Sequence, residues 1–276
     1  MIAADYLDLL QDHIDITRVP FSDRGSRILL FRTAGRNALY VKLAERLAHL
    51  DSDIEAYLKR PPYIQNLELI DNRGQALEFN TTVNPFLLTL ETGQGVVNCV
   101  FQDQHTIAFG LPAGKTIGLR FRVFPQYWRS FDQGGSFMAV RNLVYRTNGE
   151  VIRNTITPVE GGYEVEFVVR AGGETTVVLG IHPDPVTGQQ VPPFAEILAS
   201  ARSRWLAWFE RVPAVDPRYA QTYAYAWWVM ANNLISPLGN VVYEAMSPSK
   251  IGYVGLWLWD SALHALAYRH VDAELS

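Results

Sequence analysis

Asp260 is the residue in this sequence best placed to do chemistry. It follows Trp257, Leu258 and Trp259 directly and precedes a run in which Leu263, Leu266, Ala267 and Val271 recur at helical spacing. His264 stands four residues on, so the two side chains share one helical face. For a carboxyl group held among large apolar side chains, desolvation favours the protonated acid more strongly than a helix N-terminus favours the anion. Such a group can act as a proton donor. A second reading fits the same residues: Asp is a favoured N-cap, and Asp260 would then satisfy backbone donors of the helix it precedes.

Aromatic residues cluster around this carboxyl group. Tyr253, Trp257 and Trp259 offer planes on which the apolar face of a sugar ring can pack, although tryptophans in a large chain also serve as ordinary core residues. Other chemistries find little support. The HExxH spacing of a zinc site is absent and His270 lies six residues after His264, so no metal is expected. GxSxG, GxxxxGK[ST] and GxGxxG are missing, which removes the usual serine hydrolase, phosphate-loop and dinucleotide signatures, and no cofactor is implied. Asp23-Arg24-Gly25-Ser26 reads either as a solvated turn with an ion pair or as a ligand-facing loop. In the second case Arg24 would hold a substrate hydroxyl or carboxylate through two parallel donors.

The elements that must position these residues come in two textures. Residues 27–31 (RILLF) and 39–43 (LYVKL) flank TAGRN as a hairpin-like pair. FMAVRNLVYR and VIRNTITPV are separated by Thr147-Asn148-Gly149-Glu150, and Asn-Gly predicts a tight hairpin there. Tyr163, Val165, Phe167 and Val169 alternate with Glu164, Glu166 and Val168 ahead of a Gly172-Gly173 turn and the run TTVVLGI. Many short strands at this spacing predict an antiparallel β-sandwich.

At Pro192-Pro193 the periodicity becomes helical, through Phe194, Ile197, Leu198, Ala201, Trp205, Trp208, Phe209 and Val212. A second helix is predicted from Asp216-Pro217 to the residue before Pro237. It carries Tyr219, Tyr223, Trp227, Met230 and Leu234 on one face and Ala224, Trp228, Val229 and Ile235 elsewhere, so burial on more than one side is expected. One helix pair cannot supply that burial. The helical part therefore reads as the opening of a larger layer, with Trp227, Trp228 and Met230 expected to lack neighbours and to expose apolar surface.

Composition narrows the function classes. The chain has 276 residues, 48% hydrophobic and 19% charged, with no apolar run long enough for a membrane span. Its formal charge of -4 and scattered basic residues offer no field for nucleic acid. Cys99 is the single cysteine, so no intrachain disulfide can form, and MIAADYLDLLQDHID lacks the basic and apolar regions of a secretion signal. A cytoplasmic location is expected.

The segment from Glu244 to Leu275 resembles bacterial members of glycoside hydrolase family 63 and the related amylo-α-1,6-glucosidase group, which are six-hairpin glycosidases. The resemblance is carried by Pro248-Ser249-Lys250, by the aromatic run through Trp257 and Trp259, and by Trp259-Asp260-Ser261 followed by His264. It implies an α+β multi-domain fold: a β-sandwich at 1–190, a helical linker at 191–215, and at 216–276 the first helices of an incomplete (α/α)6 barrel. It also implies a small carbohydrate substrate, an α-linked glucoside or mannoside, and Asp260 as the general acid of an inverting mechanism. Inversion needs a second carboxylate about 6.5 to 9.5 Å from the first. In the family that base is a Glu in later barrel helices. Asp272 and Glu274 are poor substitutes, since on one continuous helix they would lie about 18 to 21 Å along the axis from Asp260. The chain is thus expected to be the front portion of a longer enzyme, truncated or split, and to self-associate through exposed barrel helices. The alternative is a non-catalytic module whose sandwich binds carbohydrate or a partner chain, exposing coplanar aromatics at Tyr127, Trp128 and Phe131.

Overall fold

The computed structural model describes residues 3–11, 13–45, 54–124, 127–139, 141–186, 188 and 190–275. A short helix α1 (Ala3–Leu9) precedes the strands β1 (Ile28–Arg32) and β2 (Leu39–Leu43), the helix α2 (Ile54–Lys59), and the strands β3 (Ile64–Asp71), β4 (Phe79–Val83), β5 (Leu88–Thr92) and β6 (Gly95–Asp103). There follow β7 (Thr106–Leu111), β8 (Thr116–Val123), β9 (Tyr127–Phe131), β10 (Gly134–Met138), β11 (Asn142–Thr147), β12 (Glu150–Val159), β13 (Gly162–Arg170) and β14 (Thr175–His182). Three longer helices close the chain: α3 (Phe194–Glu210), α4 (Ala220–Asn232) and α5 (Leu258–Tyr268), with the two-residue strands β15 (Leu234–Ile235) and β16 (Ala245–Met246) between the last two.

The strands form the expected antiparallel sandwich. One sheet runs β1-β2-β3-β8-β13-β12 and the other β4-β5-β6-β7-β14-β11-β10-β9. The alternation read in β13 is what builds the interface. Val165, Phe167 and Val169 point into the shared core, while Glu164 and Glu166 face Arg122 and Arg120 across the register with β8. β14 is buried along its whole length, because α3 covers the outer side of its sheet and packs Phe194, Ile197 and Ala201 on Val100, Ala108 and Val178. Gly110 makes that contact possible: a Cβ there would sit 2.5 Å from the Phe194 ring.

The TAGRN hairpin forms, with Ile28 opposite Leu43 and Arg32 opposite Leu39. The Asn-Gly hairpin does not. β11 and β12 lie in different sheets, and Asn148-Gly149 carries the chain across the sandwich. Asn148 spends its side chain on β14, where Oδ1 accepts the Thr176 N–H at 2.8 Å. FMAVRNLVYR is also two strands, β10 and β11, not one.

The second helix differs from expectation at both ends. Pro217–Tyr219 is a 3-10 turn capped by Asp216, which accepts the Arg218 N–H at 3.0 Å, and α4 stops at Asn232. The chain then turns to pair Leu234 with Met246. Burial on several sides is observed, but its source is nearer than a missing layer. Trp227 and Trp228 are 6% and 2% exposed. Trp208 of α3 packs edge-on to Trp227 at 6.0 Å and donates its indole N–H to the Trp227 carbonyl. α1 packs against α3 and α4, with Tyr6 stacked on Phe209 at 5.4 Å. The exposed apolar surface expected at Trp227 and Trp228 lies instead on α5, where Leu258, Trp259, Leu263 and Leu266 are 92%, 70%, 55% and 57% exposed. Among the described residues no helix is long and apolar enough to cross a membrane.

Candidate functional site

The loop 22–27 is neither a solvated turn nor a free ligand-facing loop. Ser22, Asp23 and Ser26 are buried, and Ser22 Oγ donates to the Ile28 carbonyl at 2.8 Å. Gly25, at a φ of 77° that favours glycine, bonds through its N–H to Leu234 and through its carbonyl to Ser236. The loop thereby seats the chain after α4 on the sandwich. Asp23 pairs with Arg204 of α3 at 2.7 Å. Arg24 reaches Glu244 at 2.6 Å and Asp272 at 3.1 Å, with its guanidinium over the Trp208 ring. Its parallel donors are taken up by two carboxylates of this chain, at the C-terminal end of α5, whereas Asp260 is in the first turn.

Segment 244–257 is shaped by its own small polar side chains. Ser249 Oγ accepts the N–H groups of Ile251 and Gly252, and Ser247, fully buried, accepts the Gly255 N–H at 3.3 Å. Lys250 projects inward and is 1% exposed, with its Nζ donating to the Asp23 carbonyl at 3.3 Å. Burial pushes its ammonium down to about 7; Arg27 adds to the shift, while Asp23 and Glu244 oppose it. The sequence around Pro248-Ser249-Lys250 carries no local sign of this burial, because the partner of Lys250 lies 227 positions away.

Beyond this turn Tyr253 and Trp257 stack on one another, with ring centroids 4.5 Å apart and planes 10° from parallel. Gly255 at φ 147° allows the close return of Trp257. Trp257 also lines a cavity of about 500 Å³ whose polar wall is Arg27, Glu45 and Arg141. Asp260 is not among the residues lining it. Trp259 stands apart, exposed on the outer side of α5.

The capping reading of Asp260 is not realised. Trp257 is the N-cap of α5 and makes no side-chain cap bond, so the helix begins three residues earlier than a cap at Asp260 requires. Asp260 occupies the first turn, where the helix dipole favours a carboxylate. Its Oδ2 is shielded from solvent yet has no hydrogen-bond partner, and Nδ1 of His264, one turn on, is in the same state. Four residues apart on the continuous helix α5, the two share a face, as their spacing predicts. Leu258 and Trp259 do not enclose Asp260, because both project outward. Among the described residues no cluster of His, Cys, Asp and Glu could hold a metal ion.

Tyr127, Trp128 and Phe131 do not form one coplanar surface on β9. Tyr127 and Phe131 lie on one side of β9 and Trp128 on the other, as strand alternation requires. Trp128 packs edge-on to Tyr163 at 6.0 Å, and the Phe131 ring is covered by the Arg146 guanidinium at 4.9 Å.

No protein-family model matches the chain, and no curated protein matches it. Among solved structures it is similar to a family GH92 inverting mannosidase from Bacteroides thetaiotaomicron, with a TM-score of 0.48 and 9% identity over 90% of this chain and 44% of that one. It is also similar to a putative kojibiose phosphorylase from the human microbiome, with a TM-score of 0.44 and 13% identity over 83% of this chain and 42% of that one. The chain spans less than half the length of either. The likeness to these two structures does not show membership of family 63.

Proposed function

We propose that this chain carries the general acid of an inverting α-glycosidase acting on α-linked glucosides or mannosides, and that Asp260 is that acid. The observation that carries the reading is the unpartnered Oδ2 of Asp260, screened from water in the first turn of α5. A buried polar atom left without a hydrogen bond costs about 1 to 3 kcal/mol, a cost that a purely structural carboxylate in a first helical turn avoids by bonding to backbone N–H groups. A glycosidic oxygen is the acceptor this arrangement would serve. His264 lies beside the acid, and Tyr253, Trp257 and Trp259 are proposed to meet the sugar.

The general base is proposed to lie outside residues 1–276, so that the chain by itself does not turn over substrate. Asp272 supports this reading, since its carboxylate is held by Arg24 at 3.1 Å with Arg211 at 3.6 Å, beyond the far end of α5. The proposed organisation is a sandwich at 1–190, a linker at 191–215 and the start of a helical barrel at 216–276. The exposed apolar side of α5 is the surface through which such a piece would associate. Replacing Asp260 with Asn in the longer enzyme tests the assignment: hydrolysis of a natural α-glycoside should fall, and an unchanged rate would overturn it.

A further inference from the structure

The cavity beside Trp257 has a charge imbalance. Its volume of about 500 Å³ lies within the range of small-molecule sites, and its lining combines the apolar Val241, Val254 and Trp257 with Arg27, Glu45 and Arg141. The Glu45 side chain is 6% exposed and pairs through Oε2 with Arg141 at 2.7 Å. Its other oxygen, Oε1, has no hydrogen-bond partner. Arg27 donates to two neutral carbonyls, those of Ala44 at 3.3 Å and Ser236 at 2.9 Å, and its Nε has no partner.

Among the described residues the polar wall thus holds two guanidinium groups and one carboxylate, and that carboxylate is already bound to Arg141. Burial lowers the pKa of the Arg27 guanidinium; Glu45 opposes the shift and Arg141 adds to it. A cation removed from water with only carbonyl partners is short of counter-charge, and a single negative charge entering the cavity would supply it. A dianion fits less well, since it would face the Glu45 carboxylate.

We propose that this cavity binds a sugar acid, a ring bearing one carboxylate and several hydroxyl groups. The carboxylate goes to Arg27, a hydroxyl donates to Glu45, and the apolar face of the ring lies toward Trp257 and Val254. This site shares Trp257 with the proposed glycosidase site but does not include Asp260, and it stands whether or not Asp260 is an acid, because its readout is binding and not turnover.

Calorimetric titration of the whole chain with D-glucuronate, D-glucose and inorganic phosphate tests it. Glucuronate should bind at least about tenfold more tightly than glucose or phosphate, the scale of one charge-assisted contact. Arg27→Gln should remove that preference. Because Arg27 also bonds to Ser236 and its replacement could unfold the chain, Val241→Trp provides a second variant, which fills the cavity and leaves Arg27 in place. It should weaken glucuronate by at least about tenfold as well. Equal affinity for glucuronate and glucose, tighter phosphate than glucuronate, no glucuronate binding at all, or undiminished binding by Val241→Trp would each overturn the proposal.

Discussion

The sandwich interior and the segment around α5 treat aromatic side chains in opposite ways. In the sandwich, Tyr145 sits among Phe121, Phe137 and Phe167 at centroid distances of 5.7, 6.1 and 5.0 Å, all four are buried, and the Tyr145 hydroxyl donates to Asn154. In α5 Tyr268 alone is buried, while Trp259 and three leucines face outward and Asp260 and His264 leave shielded polar atoms without partners. The first region completes itself from its own sequence. The second leaves apolar side chains exposed on α5, which fits the contact surface proposed above.

The sharpest way to break this comparison is to truncate one residue on each side of it. Phe167→Ala should cost about 3 to 5 kcal/mol of stability, measured by denaturant unfolding. Leu263→Glu, on the exposed side of α5, should change stability by no more than about 0.5 kcal/mol and should lower the binding of a hydrophobic dye. A large loss for Leu263→Glu would mean that α5 is packed in solution.

Lys250 sits between the two regions and gives the next largest effect. Its ammonium titrates at about 7 when folded against an ordinary 10.5, so between those values the unfolded chain holds the extra proton. The contribution of this group to stability therefore rises with pH across that window. Lys250→Met should be more stable than the wild type at pH 7, and its advantage should shrink by about 1.4 kcal/mol per pH unit toward about pH 9.5. A gap independent of pH would show that Lys250 is not buried as a near-neutral amine.

A smaller effect should follow from loosening the clamp beyond α5. Arg24→Met leaves Glu244 without a cation and Asp272 with only Arg211, and should cost about 1 to 3 kcal/mol. Hydrogen exchange should quicken in α5 more than in β13. Equal quickening in both would mean that Arg24 supports the whole fold and not the placement of α5.

Local patterning explains which parts of this structure could be read in advance. The alternation in β13, the TAGRN hairpin and the buried stripe of α3 are short-range signals, and each formed as its period predicts. Asn148-Gly149 misled because the asparagine found a better use bonding to Thr176 than closing a hairpin. α4 ended early because Leu234 gained a strand partner in Met246, and no residue before Leu234 signals that pairing. At the site, the shared face of Asp260 and His264 was legible from their spacing. The diversion of Arg24 to Glu244 and Asp272, and the meeting of Arg27 with Glu45 and Arg141, join positions far apart in the chain and have no local signature.

The central proposal, that Asp260 gives a proton to a glycosidic oxygen, is tested most directly by the leaving-group dependence of Asp260→Asn in the proposed longer enzyme. Asn keeps the size of the side chain but has no acidic proton to give. A natural α-glycoside, whose leaving group needs protonation, should be hydrolysed at least about 100-fold more slowly. The matching glycosyl fluoride departs with little protonic help and should be affected far less. Equal losses on both substrates, large or small, would contradict the assignment of Asp260 as the acid.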